Sequence, residues 1–297
     1  MPKEPDQHSG PLDDAVEKIL INDVSKLKYK ELSGNVSRLF KAIKPDPIAA
    51  KVVPICTLII IIAVKIRSLS GPVDISEVIA DVGEILDNSI QVGAIEAGPS
   101  EVVDLSKLDI DKLREKFKTE HKRTEAEKLK GAINSKIEQM VKLNNLRMNF
   151  FEKFQKLIAD YNNAGVDLQP FIDNLIKLTS EIQHEEKRSF RENLSEEELA
   201  VFDLLTKPDI RLTPDEKQLV KKVVRELIDK LKREKLVIDW RKKQQTRADV
   251  RLTIGKILEE LPPVYTQDLW VQKCDQTYQH VYEKYFGQGT SVYSMVA

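Results

Sequence analysis

Between Lys217 and Lys256 the chain carries 14 lysines and arginines against five acidic residues, a local charge of +9 in a protein of net charge -1. A run of cations can neutralise phosphates, meet an acidic partner or simply keep a helix exterior soluble. Val220, Val223, Val224, Leu227 and Leu231 recur at helical spacing and predict an inner stripe. That stripe turns Lys221, Lys222, Arg225, Lys232 and Arg233 outward, whereas Arg241, Lys242, Arg247 and Arg251 scatter around the helix that follows. Trp240, in the connector Leu236–Trp240, suits an aromatic anchor at an interface or a core plug between two helices. These ten residues are the candidate partner- or DNA-binding positions. Residues 181–203, with eight acids and three bases, supply the opposite sign for internal or partner complementarity.

Other chemistry finds little to stand on. A phosphate cradle of the form GxxxxGK[ST] is absent, no GxGxxG follows a strand, and HExxH, GxSxG and EF-hand patterns are missing. His8, His121, His184 and His280 lie far apart, without cysteines or carboxylate pairs at ligand spacing, so solvated or hydrogen-bonded structural histidines are expected. Pro208-Asp209 followed by Asp215-Glu216-Lys217 imitates a metal-dependent nuclease motif. The spacing is too tight for the strand pair that presents such groups, and Asp215 fits the first turn of a helix. Cys56 and Cys274 make neither a disulfide framework nor a zinc site. No catalytic residue, metal or cofactor is expected.

The elements that position these residues read as helices. With 297 residues, 41% apolar and 32% charged, the chain can fill a core, and only 11 Gly and 13 Pro argue against a turn-dense β fold. The segment from Met1 to Pro11 lacks the apolar run of a signal peptide. Val52–Val64 is apolar for thirteen residues, short of the roughly 20 that span a bilayer, and predicts a helix buried on all sides. A soluble, cytoplasmic protein with no membrane role follows. Ser33 can cap a helix through Val36, Leu39, Phe40 and Ile43 that the Pro45-Asp46-Pro47 break closes, and another is expected from Asp74 or Ser76. Residues 111–130 are charged enough to predict a solvated face.

Ile133, Ile137, Met140, Val141, Met148, Phe151 and Ile158 form one stripe, interrupted by Asn144. That residue reads as a partner-specific contact, a satisfied core amide or a bend. Ser195–Glu198 and Thr213–Glu216 are capping boxes, and helices through Phe171, Leu175, Leu178 and Ile182, through Val250, Ile254, Ile257 and Leu261, and from Thr266 to about Phe286 complete the map. The expected fold is all-α, a multi-helix array or bundle with room for one small β-hairpin near residues 91–104. Its expected divisions are a lead segment 1–34, a helical subdomain 35–108, a C-terminal helical domain 109–287 and a tail 288–297.

Several stretches together carry a family resemblance. NVSRLFKAIKPDP from Asn35, GPVDISEV from Gly71, DLSKLDIDKLREKF from Asp104, HKRTEAEKLKGAI from His121, RMNFFEKFQKLIADYN from Arg147, LSEEELAVFDLL from Leu194 and IDWRKKQQTRADVRLTIGKIL from Ile238 occur in order. The chain thereby resembles the C-terminal helical region of the restriction (R) subunit of type I restriction–modification enzymes. In that family a nuclease domain and two ATP-driven motor domains precede this region, which attaches them to the methylation and specificity subunits. The motifs of nuclease and motor are absent here. The resemblance therefore implies a non-catalytic assembly region whose partners are the methylation and specificity subunits, with DNA as a further ligand. The alternative is an independent helical DNA-binding protein that uses residues 217–256.

Overall fold

The computed structural model describes residues 10–43, 49, 51–69, 105, 108–118, 121–164, 167–208 and 210–296. They are helical almost throughout. The helix expected from Asp74 or Ser76 and the hairpin expected near residues 91–104 lie outside the described residues, as do the Pro45–Pro47 break, His8 and Asp209. The chain divides into two compact units, Met1–Lys136 with Phe151–Gln183, and Ile137–Phe150 with His184–Ala297.

The helices of the first unit begin with α1 (Pro11–Ile19), α2 (Asp23–Ile43) and α3 (Val53–Ser68). α2 runs unbroken through residues 34 and 35, where a division is expected from the sequence. Ser33 does not cap a helix; it lies inside α2 and its hydroxyl donates to the Lys30 carbonyl at 2.9 Å. A hydroxyl that bonds back along its own helix has the same composition signal as a cap. The apolar first part of α3, up to Val64, is not buried all round. Ile60, Ile62 and Ile66 are buried, whereas Ile55 and Leu58 are 62% and 52% exposed.

α4 (Ile110–Lys116) and α5 (Lys122–Leu143) correct the expected solvated face of residues 111–130. Glu127 and Lys130 are buried. Lys130 pairs with Asp23 at 2.8 Å and with Glu127 at 3.0 Å, and Lys26 pairs with Glu127. Burial alone would raise the Asp23 carboxyl, yet Lys130, Asn162 and Lys26 hold it well below the usual carboxylate range. The Glu17 carboxylate accepts from the Arg123 and Thr124 amides at 2.8 and 2.9 Å, so α1 satisfies donors that the start of α5 leaves free. A charge-rich stretch is thus internal because each charge meets an opposite one. α6 (Met148–Ala164) and α7 (Leu168–Glu186) complete the unit, with Tyr161 stacked on Phe171 at 4.0 Å between ring centroids. Phe171, Leu175, Leu178 and Ile182 are all buried, as their spacing predicts.

Asn144 ends α5, and a single tight turn, Asn145–Arg147, precedes α6. The Asn144 side-chain oxygen accepts from the Leu146 amide at 3.0 Å and its amide nitrogen donates to Asp203 at 2.9 Å. Asn144 is therefore both a bend and a satisfied core amide. The break also resets the helical phase. Ile133, Ile137 and Met140 are buried before it, but afterwards Phe150 and Phe154 turn inward while Met148 lies in solvent. One stripe carried through the break assigns the wrong side chains to the core.

In the second unit α8 (Arg188–Glu192) leads to α9 (Glu196–Thr206), α10 (Pro214–Lys230), α11 (Gln244–Leu258) and α12 (Gln267–Lys284). Both capping boxes form: the Glu198 amide donates to Ser195 Oγ at 3.1 Å and the Glu216 amide to Thr213 Oγ1 at 3.3 Å. Leu199, Ala200, Val201 and Leu205 are fully buried, so α9 is the centre of this core. Around it pack Val220, Val223, Val224 and Leu227 from α10, Val250, Ile254 and Leu258 from α11, and Val281 from α12. The strands β1 (Tyr285–Gly287) and β2 (Thr290–Ser291) pair antiparallel, and α13 (Val292–Val296) follows. The expected tail 288–297 is in part core, because Tyr293 is buried and donates to the Leu143 carbonyl at 2.9 Å.

His280 lies 2.9 Å from the Tyr293 hydroxyl through Nε2. Burial, and then the Lys284 charge, push its pKa down to about 4. A histidine whose folded pKa lies below the unfolded value stabilises the fold fully above about pH 6.5 and loses that contribution as pH falls toward 4. Acidification from pH 7 to pH 5 is expected to cost about 2 kcal/mol. Thermal melts of the wild type and of His280→Gln across this window check it, since the variant should show little of that slope. Glu192, held down to about 2, titrates below this window and does not confuse the reading.

Candidate interaction surface

The basic segment is not a bare cationic face. Lys221 is buried, contrary to its expected outward position; its ammonium pairs with the Glu192 carboxylate at 2.8 Å and donates to the Glu192 carbonyl at 2.9 Å. Lys217 reaches the same carboxylate at 2.8 Å. Burial would raise Glu192, but these two ammonium groups hold it down to about 2. The residue that follows, Asn193, adopts the left-handed conformation at the end of α8, and its carbonyl accepts from the exposed Arg225 at 2.6 Å. The acidic stretch of residues 181–203 and the basic stretch thus complement one another inside the second unit.

The other cations divide by partner. Lys232 pairs with Glu197 at 2.9 Å and Arg233 with Asp229 at 2.8 Å. Lys242 pairs with Asp239 at 2.9 Å, and Arg251 pairs with Asp275 and stacks 5.4 Å from the Tyr278 ring centroid. Arg247 donates to the Arg241 carbonyl at 3.3 Å, and Lys222 is exposed on α10. Most of these exposed pairs contribute about 0–1 kcal/mol each, so they remain exchangeable with outside partners. Lys221 does not, because withdrawing it leaves Glu192 half-paired.

Trp240 is a core plug. Its indole is fully buried, meets Tyr282 edge-on at 5.8 Å and donates to the Tyr285 carbonyl at 3.3 Å. Beside it Arg241 donates to the same carbonyl at 2.9 Å through Nε and lies over the rings of Tyr282 and Phe286. Val237 and Ile238 on the connector and Phe286 on β1 are apolar and exposed, and none of them is among the ten candidate positions. Their signal was an apolar pair beside a tryptophan, which reads as core when the hairpin that holds it is unknown. Among the described residues no group of three or more His, Cys, Asp or Glu is placed to hold a metal, and no helix is long and apolar enough to cross a membrane.

Comparison with known proteins gives a consistent picture. Residues 2–285 match the family described as type I restriction enzyme HindI endonuclease subunit-like, C-terminal. The chain is 28% identical over 200 residues to a Methanocaldococcus jannaschii protein named as the type I restriction enzyme MjaIXP endonuclease subunit, a match over 65% of this chain and 18% of that protein. It is 24% identical over 115 residues to the type I restriction enzyme HindI endonuclease subunit of Haemophilus influenzae, a match over 39% of this chain and 11% of that protein. The chain thus spans less than a fifth of the length of the curated relatives it matches. No solved structure matches it.

Proposed function

Because the chain belongs to the family formed by the C-terminal part of type I restriction enzyme endonuclease subunits, we propose that it is a non-catalytic assembly region. It attaches motor and nuclease parts to the methylation and specificity subunits of the complex. The family match over residues 2–285 is the observation that carries this reading. The second unit supports it: a well-filled helical core with exposed cations such as Arg233 and Lys242 held in weak, replaceable pairs. Such a surface can exchange an internal partner for an external carboxylate at small cost. The attachment would bury on the order of 1,200–2,000 Å² of total surface.

The immobilised full chain should retain a purified cognate methylation–specificity complex at low micromolar concentration. Passage of that complex without retention would remove the proposal. Independent DNA binding fits less well, since Lys221, which leads the cationic face expected from the sequence, is buried against Glu192. A steep fall in duplex binding with salt would be its mark.

A further inference from the structure

Two grooves of the first unit run into one another between α2 and α3. The first, of about 360 Å³, is lined by Gly34, Ser37, Arg38, Lys41, Ile60 and Arg67 among others. The second, of about 530 Å³, shares Gly34, Arg38 and Arg67 with it and adds Lys30 and Glu31. Positions 30, 34, 38 and 41 recur at spacings of three and four, so they occupy one face of α2, and Arg67 meets that face from α3. Among the described residues Glu31 is the one carboxylate that lines either groove, against four cations. The trough therefore carries a positive potential.

Its donors are open. The Arg67 side chain is half-buried and makes no hydrogen bond or ion pair among the described residues; its Nε is buried beyond reach, but its terminal Nη groups are not. Arg38 is exposed and donates to the uncharged Asn35 side chain. The half-buried Ser37 hydroxyl has no partner among the described residues, whereas the Ser33 hydroxyl is spent on the Lys30 carbonyl. Gly34 lies between these groups, inside a helix, where glycine is costly. No packing among the described residues needs it: a β-carbon there would meet no atom within 4 Å. What the missing side chain provides is a bare floor that a ligand can approach closely.

We propose that Ser37, Arg38 and Arg67 clamp a phosphate group in this trough, carried by a nucleic-acid backbone or by free phosphate. Two guanidinium forks and a hydroxyl, brought to one groove by two helices, suit a tetrahedral oxyanion with three or more acceptor oxygens. A carboxylate has two oxygens in one plane and would leave one of these donors unmet. Arginine rather than lysine at both positions agrees with phosphate, whose geometry the planar fork matches. The site belongs to the first unit, apart from residues 217–256, and does not depend on the assembly reading above.

The test uses the full chain, a labelled DNA duplex at low salt and, separately, inorganic phosphate. Arg38→Gln and Arg67→Gln are each expected to weaken duplex binding roughly tenfold, while Lys28→Gln, exposed on α2 but outside both grooves, stays within about twofold. Gly34→Leu removes no charge and favours the helix, so it should melt no lower than the wild type and yet bind as weakly as the arginine variants. Duplex binding that inorganic phosphate displaces at matched ionic strength would assign the clamp to a backbone phosphate. Stabilisation of the wild type, but not of Arg38→Gln, by inorganic phosphate without duplex binding would assign it to free phosphate. Should Arg67→Gln unfold the protein, the exposed Arg38 carries the test. The proposal is overturned if the wild type binds neither probe, if the arginine variants or Gly34→Leu bind like the wild type, or if Lys28→Gln loses as much as they do. Loss of methylation–specificity retention in the arginine variants, with both probes still bound, would overturn it too, since the trough would then take a protein carboxylate.

Discussion

Trp240→Ala should lower the stability of the second unit by about 3–5 kcal/mol, read as a shift in the urea midpoint at unchanged slope. The indole is fully buried in the core of the second unit, so its removal leaves a void as well as lost transfer energy. It also withdraws one of two donors to the Tyr285 carbonyl and the edge-on contact with Tyr282. Trp240→Phe should keep most of the packing and lose the hydrogen bond, at about 1–2 kcal/mol. A cost for the alanine variant below about 1 kcal/mol would mean that the connector, not the indole, holds α11 in place.

Asp203→Ala is expected to cost a similar 3–5 kcal/mol. This fully buried carboxylate on α9 accepts from Asn144 at 2.9 Å and from Arg188 at 2.9 Å, with a further bond to Arg188 Nη2 and a looser one to Lys207 at 3.4 Å. Alanine would leave Arg188 with Glu185 alone, at 3.2 Å, and strand the Asn144 amide where water has poor access. Pairing the change with Arg188→Met should recover part of the loss, because removing both ends of a buried pair is milder than removing one. Guanidinium denaturation of the two single variants and the double variant measures this coupling. Additive losses would show that the two side chains act independently.

Local chemistry was legible in the sequence, and long-range pairing was not. The capping boxes at Ser195 and Thr213 could be read because donor and acceptor lie three residues apart. The stripe of α10 could be read because Val220 to Leu227 keep one helical phase. Asn144 was visible as an interruption, but its hydrogen bond to Asp203 crosses 59 residues, and the phase change that follows depends on that bend. Ser33 misled because a hydroxyl inside α2 looks like a cap. Lys221 misled for a different reason. Spacing reports which face a residue occupies, not whether an opposite charge such as Glu192 waits across that face. The same limit hid Glu127 and Lys130, whose charges are satisfied by α2. Of the candidate residues, the cations and Trp240 were visible by type, whereas the burial of Lys221 and Trp240 depends on partners far away in the sequence.

The assembly of the second unit from Ile137–Phe150 and His184–Ala297 has a consequence for biosynthesis. On the ribosome, Leu143, Asn144 and Asn145 emerge before Asp203, Lys284 and Tyr293, which bond to them and follow 59, 139 and 150 residues behind their respective partners. That seam closes only when translation has passed Tyr293. A polypeptide halted sooner carries an open helix end and unmet carbonyls at 142 and 143, the kind of lesion that proteases find first.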